Sequence, residues 1–416
     1  PGGRTIERPA PGIPAEDIEA LRLAVEDLSG TYPTEYAEGA AYLACLEAIA
    51  SEQVLILPAD GEPASEENLS SEALGRLIDL QDEFATLRQD ALLANPLLDF
   101  GQLIYVRRGQ GKLGLPMNYQ SNSSLAKTGY DNQMNVLSPI QPDGNIETLY
   151  TPEEGAFVGD IEMNFDGERL LFSMPGSNGR WQIHEMNVDG TGISEFPLIH
   201  EPDVDNYDAC YLPDDRIIFT STAPFVGVPC VRGNSHVTNL YQFDPAVGDV
   251  RQLTVDQEHN WCPAVLNNGR VLYQRWEYSD TPHAFYRLLF HMNPDGTGQV
   301  EYYGSNSYWP NAMFYARPIP GHPTKVVTVV GGHHDDPRMG ELVILDPAEG
   351  RFEADGAVQR IPGRDKEIAP ILLDGLVKKS WPKFLHPYPL SEKYFLVSCR
   401  PNAGSTWGIY LVDVYD

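Results

Sequence analysis

The chain has 416 residues, of which 59 are acidic and 29 are basic, so its formal net charge is −30. A chain this acidic repels the phosphates of nucleic acids and anionic membrane surfaces, and we therefore expect neither as a partner. Apolar residues make up 42% of the chain, which suffices for a large core and excludes global disorder. No apolar run has the length that a membrane span needs, so we expect no span.

The first 98 residues are predicted to form a helical N-terminal region. Apolar residues recur at helical spacing over 15–29, 36–51 and 70–95, and Asn95-Pro96 is expected to end the third helix. A short apolar run at 54–57 is predicted to be a strand.

From residue 99 to residue 416 the pattern changes to short strands, and it repeats. The first tight turn of the successive copies lies at 165–169, 213–216, 267–270, 320–323 and 390–393. An apolar strand follows each of these turns, and an earlier copy spans 101–152. A period of about 50 residues is typical of four-stranded propeller blades. The sequence therefore predicts an all-β fold, a six-bladed β-propeller over 99–416.

The last copy ends after its third strand, at 410–413, so its outer strand is missing from the pattern. Propellers often close by borrowing a strand from the other terminus. The segment 54–57 is one candidate for that strand, and a C-terminal extension is the alternative.

The connections divide into two sets, which a propeller would place on opposite faces. One set is short and made of ordinary turn residues, whereas the other is long and rich in unusual side chains. Long loops on a rigid scaffold concentrate function, so the loop-rich face is the predicted binding face. Its candidate ligand-binding residues, which include a platform for stacking a sugar ring, are Arg107, Tyr119, Trp261, Trp276, Tyr308, Trp309 and Trp381. The alternative is that these aromatic residues pack blades together.

Aligning the repeats on their first turn brings out a second set of candidates. Asp160, Asp208 and Cys262 lie six residues before the second residue of their turns, Asp166, Asp214 and Asn268, and His386 holds nearly the same place in the last copy. First strands line the channel of a propeller, so these residues are predicted to form a polar ring at its mouth. Carboxylate, thiolate and imidazole are metal-ligand types. The alternative is a water-filled channel.

The densest group of ligand types is the run from His333 to Asp336. A divalent metal, zinc or calcium, is therefore predicted, with the candidate ligands His333, His334, Asp335, Asp208, Cys262 and His386. A loop anchored by hydrogen bonds explains the same run. The candidate catalytic residues are His259, His334, His386 and Arg275, because histidine moves protons and arginine can neutralise a uronate carboxylate.

Long segments of the chain resemble one known family. The segments ALLANPLLDF (91–100), FTSTAPFVGVPC (219–230) and HNWCPAVLNNGRVLYQRWEYSDTPH (259–283) are similar to the propeller of the hydrazine synthase alpha subunit and its relatives. The resemblance implies a periplasmic or secreted six-bladed propeller. Members of this family that make hydrazine carry c-type haems, which need CxxCH. This sequence lacks that motif, so no covalent haem is expected.

Three functions follow as hypotheses. The first is an extracytoplasmic propeller that binds a small molecule, a carbohydrate or a metal on its loop-rich face, as a module of a larger assembly with a protein partner. The second is a metal-assisted carbohydrate lyase or hydrolase that uses the same face. The third is a redox subunit whose haem lies on a partner chain.

Overall fold

The computed structural model describes residues 12–57, 69–228, 231–233, 235–278, 286–304, 307–363 and 374–415. The chain divides into two compact units. One comprises the residues up to Phe100 together with Asp413–Asp416, and the other comprises Gly101–Val412. The first unit is mainly helical, and the second is built almost entirely of strands.

Three helices make up the first unit, α1 (Ala15–Thr31), α2 (Gly39–Ile56) and α3 (Ser71–Leu93). The hydroxyl of Ser70 caps α3 by accepting a hydrogen bond from the backbone N–H of Ala73 at 3.1 Å. The helices pack on one another through buried apolar faces. The predicted strand at 54–57 is wrong, because α2 continues through Ile56 and the helical spacing of its apolar residues prevails over their β propensity.

One of these helices has the length and apolar composition of a membrane span. Among the described residues, α2 alone meets that test. Helices that pack inside soluble proteins meet the same test. Within its unit, α2 contacts both α1 and α3. The expected lack of a membrane span stays a prediction.

The strands of the second unit form antiparallel meanders, which we number from one to six in chain order. They are β1 (Leu103–Arg108), β2 (Asn132–Ser138) and β3 (Asn145–Tyr150); β4 (Gly159–Met163), β5 (Arg169–Pro175), β6 (Trp181–Asn187) and β7 (Ser194–Glu195); β8 (Asn206–Tyr211), β9 (Ile217–Ser221), β10 (Asn239–Asp244) and β11 (Asp249–Gln252); β12 (Asn260–Val265), β13 (Val271–Glu277), β14 (Tyr286–Met292) and β15 (Val300–Tyr303); β16 (Ala312–Pro318), β17 (Val326–Gly331), β18 (Glu341–Leu345) and β19 (Ala357–Ile361); and β20 (Lys383–Pro389), β21 (Tyr394–Arg400) and β22 (Gly408–Asp413).

Neighbouring strands of each meander pair in chain order. A single parallel bridge, Arg287 with Ala312, joins the fourth meander to the fifth. The first and last meanders have three strands in the described residues, and the other four have four. The fold is therefore mostly β with an N-terminal helical region, as the sequence predicts.

The core lies between neighbouring meanders. One cluster joins Met134 of β2 to Leu170 and Phe172 of β5, and another joins Trp181 of β6 to Tyr207 of β8. The first strands of meanders two to six, which we call the inner strands, contact one another in the succession β4, β8, β12, β16 and β20. This succession positions the candidate site.

Candidate functional site

A β-bulge interrupts every inner strand at the same place. Each inner strand shifts register against its neighbour by one residue, as between Gly159 and Glu162 in β4. Each bulge holds one non-glycine residue with a left-handed backbone, at φ 52° for Asp160, 52° for Asp208, 51° for Cys262, 54° for Tyr315 and 48° for His386. We call these five residues the bulge ring.

The bulge ring is a strained arrangement that recurs five times. A left-handed backbone costs a residue with a Cβ on the order of 1–2 kcal/mol, and aspartate and histidine accept it more readily than tyrosine does. A bulge re-aims the side chain it holds. Strained residues of this kind cluster at binding and catalytic sites, so the ring is the leading candidate for function.

Four of the five ring residues are those that the repeat alignment selects, and the fifth was missed. Tyr315 lies six residues before Gly321, as Asp160 lies six residues before Asp166. The same spacing would have found it. The turn at 320–323 has diverged, and a tyrosine is not a usual metal ligand, so the chemical criterion did not single it out.

Contacts run around the ring from one inner strand to the next. The carboxylate of Asp208 accepts a hydrogen bond from the backbone N–H of Cys262 at 2.7 Å. The backbone of Tyr315 hydrogen-bonds the thiol of Cys262, and the rings of Tyr315 and His386 have centroids 4.1 Å apart. The ring residues therefore form one connected group rather than five separate features.

Two of the ring residues are carboxyl groups that influence each other. Burial raises the pKa of Asp160, although hydrogen bonds from Ser173 and Asn122 oppose the rise. Burial, followed by the charge of Asp160, raises the pKa of Asp208 to about 7. The Nδ2 group of Asn122 donates to Asp160 Oδ2 at 2.6 Å. At neutral pH the pair therefore holds a proton for part of the time, which lets it donate as well as accept hydrogen bonds.

The other ring residues are neutral at physiological pH. Burial lowers the pKa of His386 to about 4, and the charges of Arg108 and Arg317 lower it further. Burial also raises the pKa of Tyr315 and of Cys262. All of these side chains nevertheless keep solvent-accessible surface, and His386 is exposed. Solvent therefore reaches these ring residues.

Three arginines surround the ring. Arg317 on β16 forms a two-pronged ion pair with Glu162 on β4, with one N–O distance of 2.7 Å. Arg108, at the end of β1, donates to the carbonyl of Leu113 at 2.6 Å. The third, Arg338, lies in the connection between β17 and β18. The sequence pattern does not single out Arg317 or Arg338 for the site. Arg317 and its partner Glu162 are 155 residues apart, and no local pattern marks such a pair.

Arg338 joins the ring to a group of stacked aromatic side chains. Its guanidinium lies 4.6 Å from the ring centroids of both Trp261 and Phe314. It also donates to the carbonyl of Gln120 at 2.6 Å. Its charge lowers the pKa values of Asp160 and Asp208 against the effect of their burial.

The aromatic group contains several predicted site residues, but most of them are buried. The rings of His259 and Trp261 stack at 4.4 Å, and Trp276 stacks on both. Trp261 and Trp276 are buried, so they cannot serve as a sugar-stacking platform open to solvent. Burial lowers the pKa of His259, and its Nδ1 lies 3.0 Å from the hydroxyl of Thr238. A neutral, enclosed histidine stabilises the strand junction.

The connection between β1 and β2 lies across this group. Tyr119 stacks on His333 with centroids 5.3 Å apart, and the Nδ2 of Asn118 donates to the carbonyl of Gly332 at 2.7 Å. Together with Asn122, which bonds Asp160, these contacts join residues 109–131 to the second and the fifth meanders. The connection therefore covers one side of the bulge ring.

The predicted metal ligands have other partners. His334 Nδ1 lies 2.8 Å from Asp374 Oδ1, and Asp335 Oδ2 accepts from the backbone of Val377 at 2.7 Å. Over the part of the chain that the structure describes, no three His, Cys, Asp or Glu side chains come together as a metal site. His333 packs against Trp276 and His334 rather than joining Asp208, Cys262 and His386. The metal therefore stays a prediction from residue types alone.

The remaining candidates lie apart from the ring. Arg107 pairs with Asp131 at 2.7 Å on the surface, and Arg275 pairs with Asp256 at 2.9 Å. Trp309 is buried, with its backbone N–H bound to Glu353, and Tyr308 is exposed beside it. Trp381 is partly exposed, and the Arg400 guanidinium lies 5.4 Å from its centroid. Of the predicted catalytic residues, only His386 belongs to the bulge ring.

Comparisons with known proteins give a likeness of fold. No protein-family profile matches the chain, and no curated protein sequence does. The solved structure of hydrazine synthase from Kuenenia stuttgartiensis matches with a TM-score of 0.54 and 18% identity, over 76% of this chain and 45% of that one. This chain thus spans less than half of that protein. At this identity the match supports a propeller-like fold and nothing about activity.

Two further solved structures are more distant. A putative TolB from Agrobacterium tumefaciens has a TM-score of 0.40 and 14% identity, over 68% of this chain and 83% of that one. An oligogalacturonate lyase in complex with manganese has a TM-score of 0.33 and 13% identity, over 76% of this chain and 63% of that one.

Proposed function

We propose that this protein is a six-bladed β-propeller that binds a small hydroxyl-bearing ligand at its bulge ring, as an extracytoplasmic module of a larger assembly related to the hydrazine synthase alpha subunit. The convergence of five left-handed residues from five successive inner strands carries the proposal. Such repeated strain is explained if the re-aimed side chains serve a common site.

The chemistry of the ring favours hydroxyl groups over ions. The carboxyl groups of Asp160, Asp208 and Glu162 lie among three arginines, so opposite charges nearly balance. A hydroxyl group can donate to a carboxylate and accept from a guanidinium, and it matches such a mixed set better than a simple cation or anion does. Tyr315 and His386 add adjacent rings against which the carbon face of a polyol can pack.

Binding of defined probes to the purified chain tests the proposal. Glucose, galacturonate and myo-inositol would each be titrated at pH 7 by calorimetry. We expect saturable binding of at least one of them, weakened at least about tenfold by Asp208→Asn or Tyr315→Phe. Asp203→Asn, at an exposed carboxylate, is the matched control and should bind as the parent does. Binding of none of the three, or binding that survives both ring substitutions, would refute a hydroxyl site at the ring.

An acid–base enzyme acting on a carbohydrate is the second candidate. Paired carboxyl groups with different affinities for a proton are the groups that hydrolases and lyases use. If the ring is catalytic, turnover of oligogalacturonate at saturating substrate should disappear in Asp160→Asn and Asp208→Asn, a far larger effect than the tenfold loss of binding. If the full chain turns over none of the oligosaccharides that it binds, the enzyme hypothesis is contradicted and only the binding function stands. A haem on a partner chain remains a prediction.

The location outside the cytoplasm rests on the resemblance to the hydrazine synthase alpha subunit family. Fractionation of cells that express the natural gene would test it. Recovery with periplasmic or culture-medium markers is expected, and recovery with cytoplasmic markers would contradict it.

A further inference from the structure

The first meander begins one strand later than the others. In the second meander, the third strand is tied to the following inner strand, since Asn206 Nδ2 donates to Gln182 Oε1 at 3.0 Å. In the first meander, the corresponding hydrogen bond involves β2. The Oδ1 of Asn132 on β2 accepts a hydrogen bond from the backbone N–H of Val158, which lies just before β4. β2 is therefore a third strand and β1 is a second strand. The first meander has no described inner strand.

The connections agree with this assignment. In the second, third and fourth meanders, the tight turns join first to second and third to fourth strands, as at 164–168 and 188–193. In the first meander, the tight turn lies between β2 and β3, and the long connection 109–131 lies between β1 and β2. This order fits second, third and fourth strands, and it leaves one edge of β1 without a paired strand in the described sheet.

The exposure of β1 indicates that no strand covers this edge. The second strands of the other meanders, β5, β9, β13, β17 and β21, are largely buried. No residue of β1 is buried. Because the strands have the same position in their meanders, the missing inner neighbour accounts for the difference.

The two inner strands on either side of the gap are exposed as well. Tyr388 on β20 is 64% exposed and Met163 on β4 is 45% exposed, whereas the residues at the equivalent positions of the other inner strands are buried or half-buried. His386, the ring residue on β20, is also exposed. Met163 and Tyr388 therefore leave apolar surface uncovered on the two inner strands that would neighbour the missing one.

We propose that an extended segment of another polypeptide docks in this gap as the sixth inner strand, antiparallel to β1. All five described inner strands run antiparallel to their second strands, so the repeat itself defines the geometry of the occupant. An unpaired strand edge with alternating side-chain contacts is the surface used in β-strand addition.

The charge of the chain defines the chemistry of this partner. The net charge of −30 favours a segment whose lysine or arginine side chains lie outside the inserted strand, because Arg107 and Arg108 already stand at the end of β1. The segment would place alternate apolar side chains against Met163 and Tyr388. It would also add a sixth residue to the bulge ring beside His386, so the ring is incomplete without it.

A peptide copied from the chain itself provides the probe. Residues 310–319, PNAMFYARPI, form an inner strand with its bulge and one net positive charge. Hydrogen exchange of the full chain would be measured in three samples: the protein alone, the protein with this peptide, and the protein with a scrambled version of the peptide. We expect the free protein to exchange the amides of β1 faster than those of β5. The inner-strand peptide should slow exchange in 103–108 at least about tenfold, and the scrambled one should not.

Two further measurements keep the result decisive. Binding of the labelled peptide should weaken as salt rises, and Tyr105→Pro in β1 should weaken it more than the control Ile146→Pro in the outer strand β3. Slow exchange of β1 in the free chain, protection outside 103–108 or equal binding of both peptides would each overturn the proposal. Protection of β1 in a longer form of the same polypeptide, without a partner, would also overturn it by identifying an occupant in the same chain.

Discussion

The carboxylate of Asp208 accepts a hydrogen bond from the backbone N–H of Cys262 at 2.7 Å, and both residues hold the left-handed position in their bulges. The bond links two neighbouring inner strands at equivalent points of the repeat. An acidic side chain thus supports the strained backbone of the next meander while it faces the charge of Asp160. The stability of the fold and the protonation of the ring are coupled at this position.

Asp208→Asn should stabilise the protein at alkaline pH. The pKa of Asp208 in the folded state is about 7, above the ordinary carboxyl value of about 4. The stability that its protonated form contributes is therefore complete below pH about 4 and is lost as the pH rises through about 7. Asparagine keeps an acceptor for Cys262 and carries no charge. Urea unfolding should show a gain of about 1–3 kcal/mol at pH 8 and almost none at pH 4. The exposed control Asp203→Asn should change neither value, and a gain that does not depend on pH would contradict this reasoning.

His386→Gln should reduce the fall in the free energy of unfolding between pH 7 and pH 4. The pKa of His386 is lowered to about 4, so the stability from its neutral form is present above pH about 6.5 and is lost as the pH falls through about 4. Because the imidazole keeps exposed surface, the expected effect is about 1 kcal/mol. Denaturant unfolding between pH 7 and pH 4 measures it. Equal acid sensitivity of the variant and the parent would show that His386 titrates normally.

Arg317→Met should destabilise the protein more than the loss of a surface ion pair does. The substitution leaves the half-buried carboxylate of Glu162 without its partner, which costs about 1–3 kcal/mol. Adding Glu162→Gln removes that charge and should restore most of the loss. Arg107→Met, which breaks the exposed pair with Asp131, is the control and should cost less than about 0.5 kcal/mol. If the double variant has the same free energy of unfolding as Arg317→Met alone, the lost ion pair is not the cause of the destabilisation.

Arg338→Lys should destabilise the protein although it keeps the charge. The flat guanidinium stacks between Trp261 and Phe314 and reaches the carbonyl of Gln120, whereas an ammonium group cannot do both. We expect a loss of about 1–2 kcal/mol in the free energy of unfolding and a change in tryptophan fluorescence. Arg107→Lys is the matched surface control. A stability equal to that of the parent would show that charge alone matters at this position.

Much of the architecture is written locally in the sequence. Tight turns such as 165–169 recur at a nearly fixed period, and a turn and the apolar strand after it depend only on neighbouring residues. Spacing from that turn was enough to select Asp160, Asp208, Cys262 and His386, because a repeat places equivalent residues at equivalent points. The strand predicted at 54–57 is wrong because local sequence alone was used there. A run of four apolar residues fits a strand or the end of a helix equally well.

Tertiary structure alone decided which of the unusual side chains meet. The pairing of Arg317 with Glu162 and the stacking of Arg338 on Trp261 join residues far apart in the chain, and no local pattern encodes them. Burial decided the rest, because the same tryptophan can cover a core or face a ligand. The open edge of β1 is also a property of the assembled sheets, since only comparison with the other second strands reveals that a neighbour is missing.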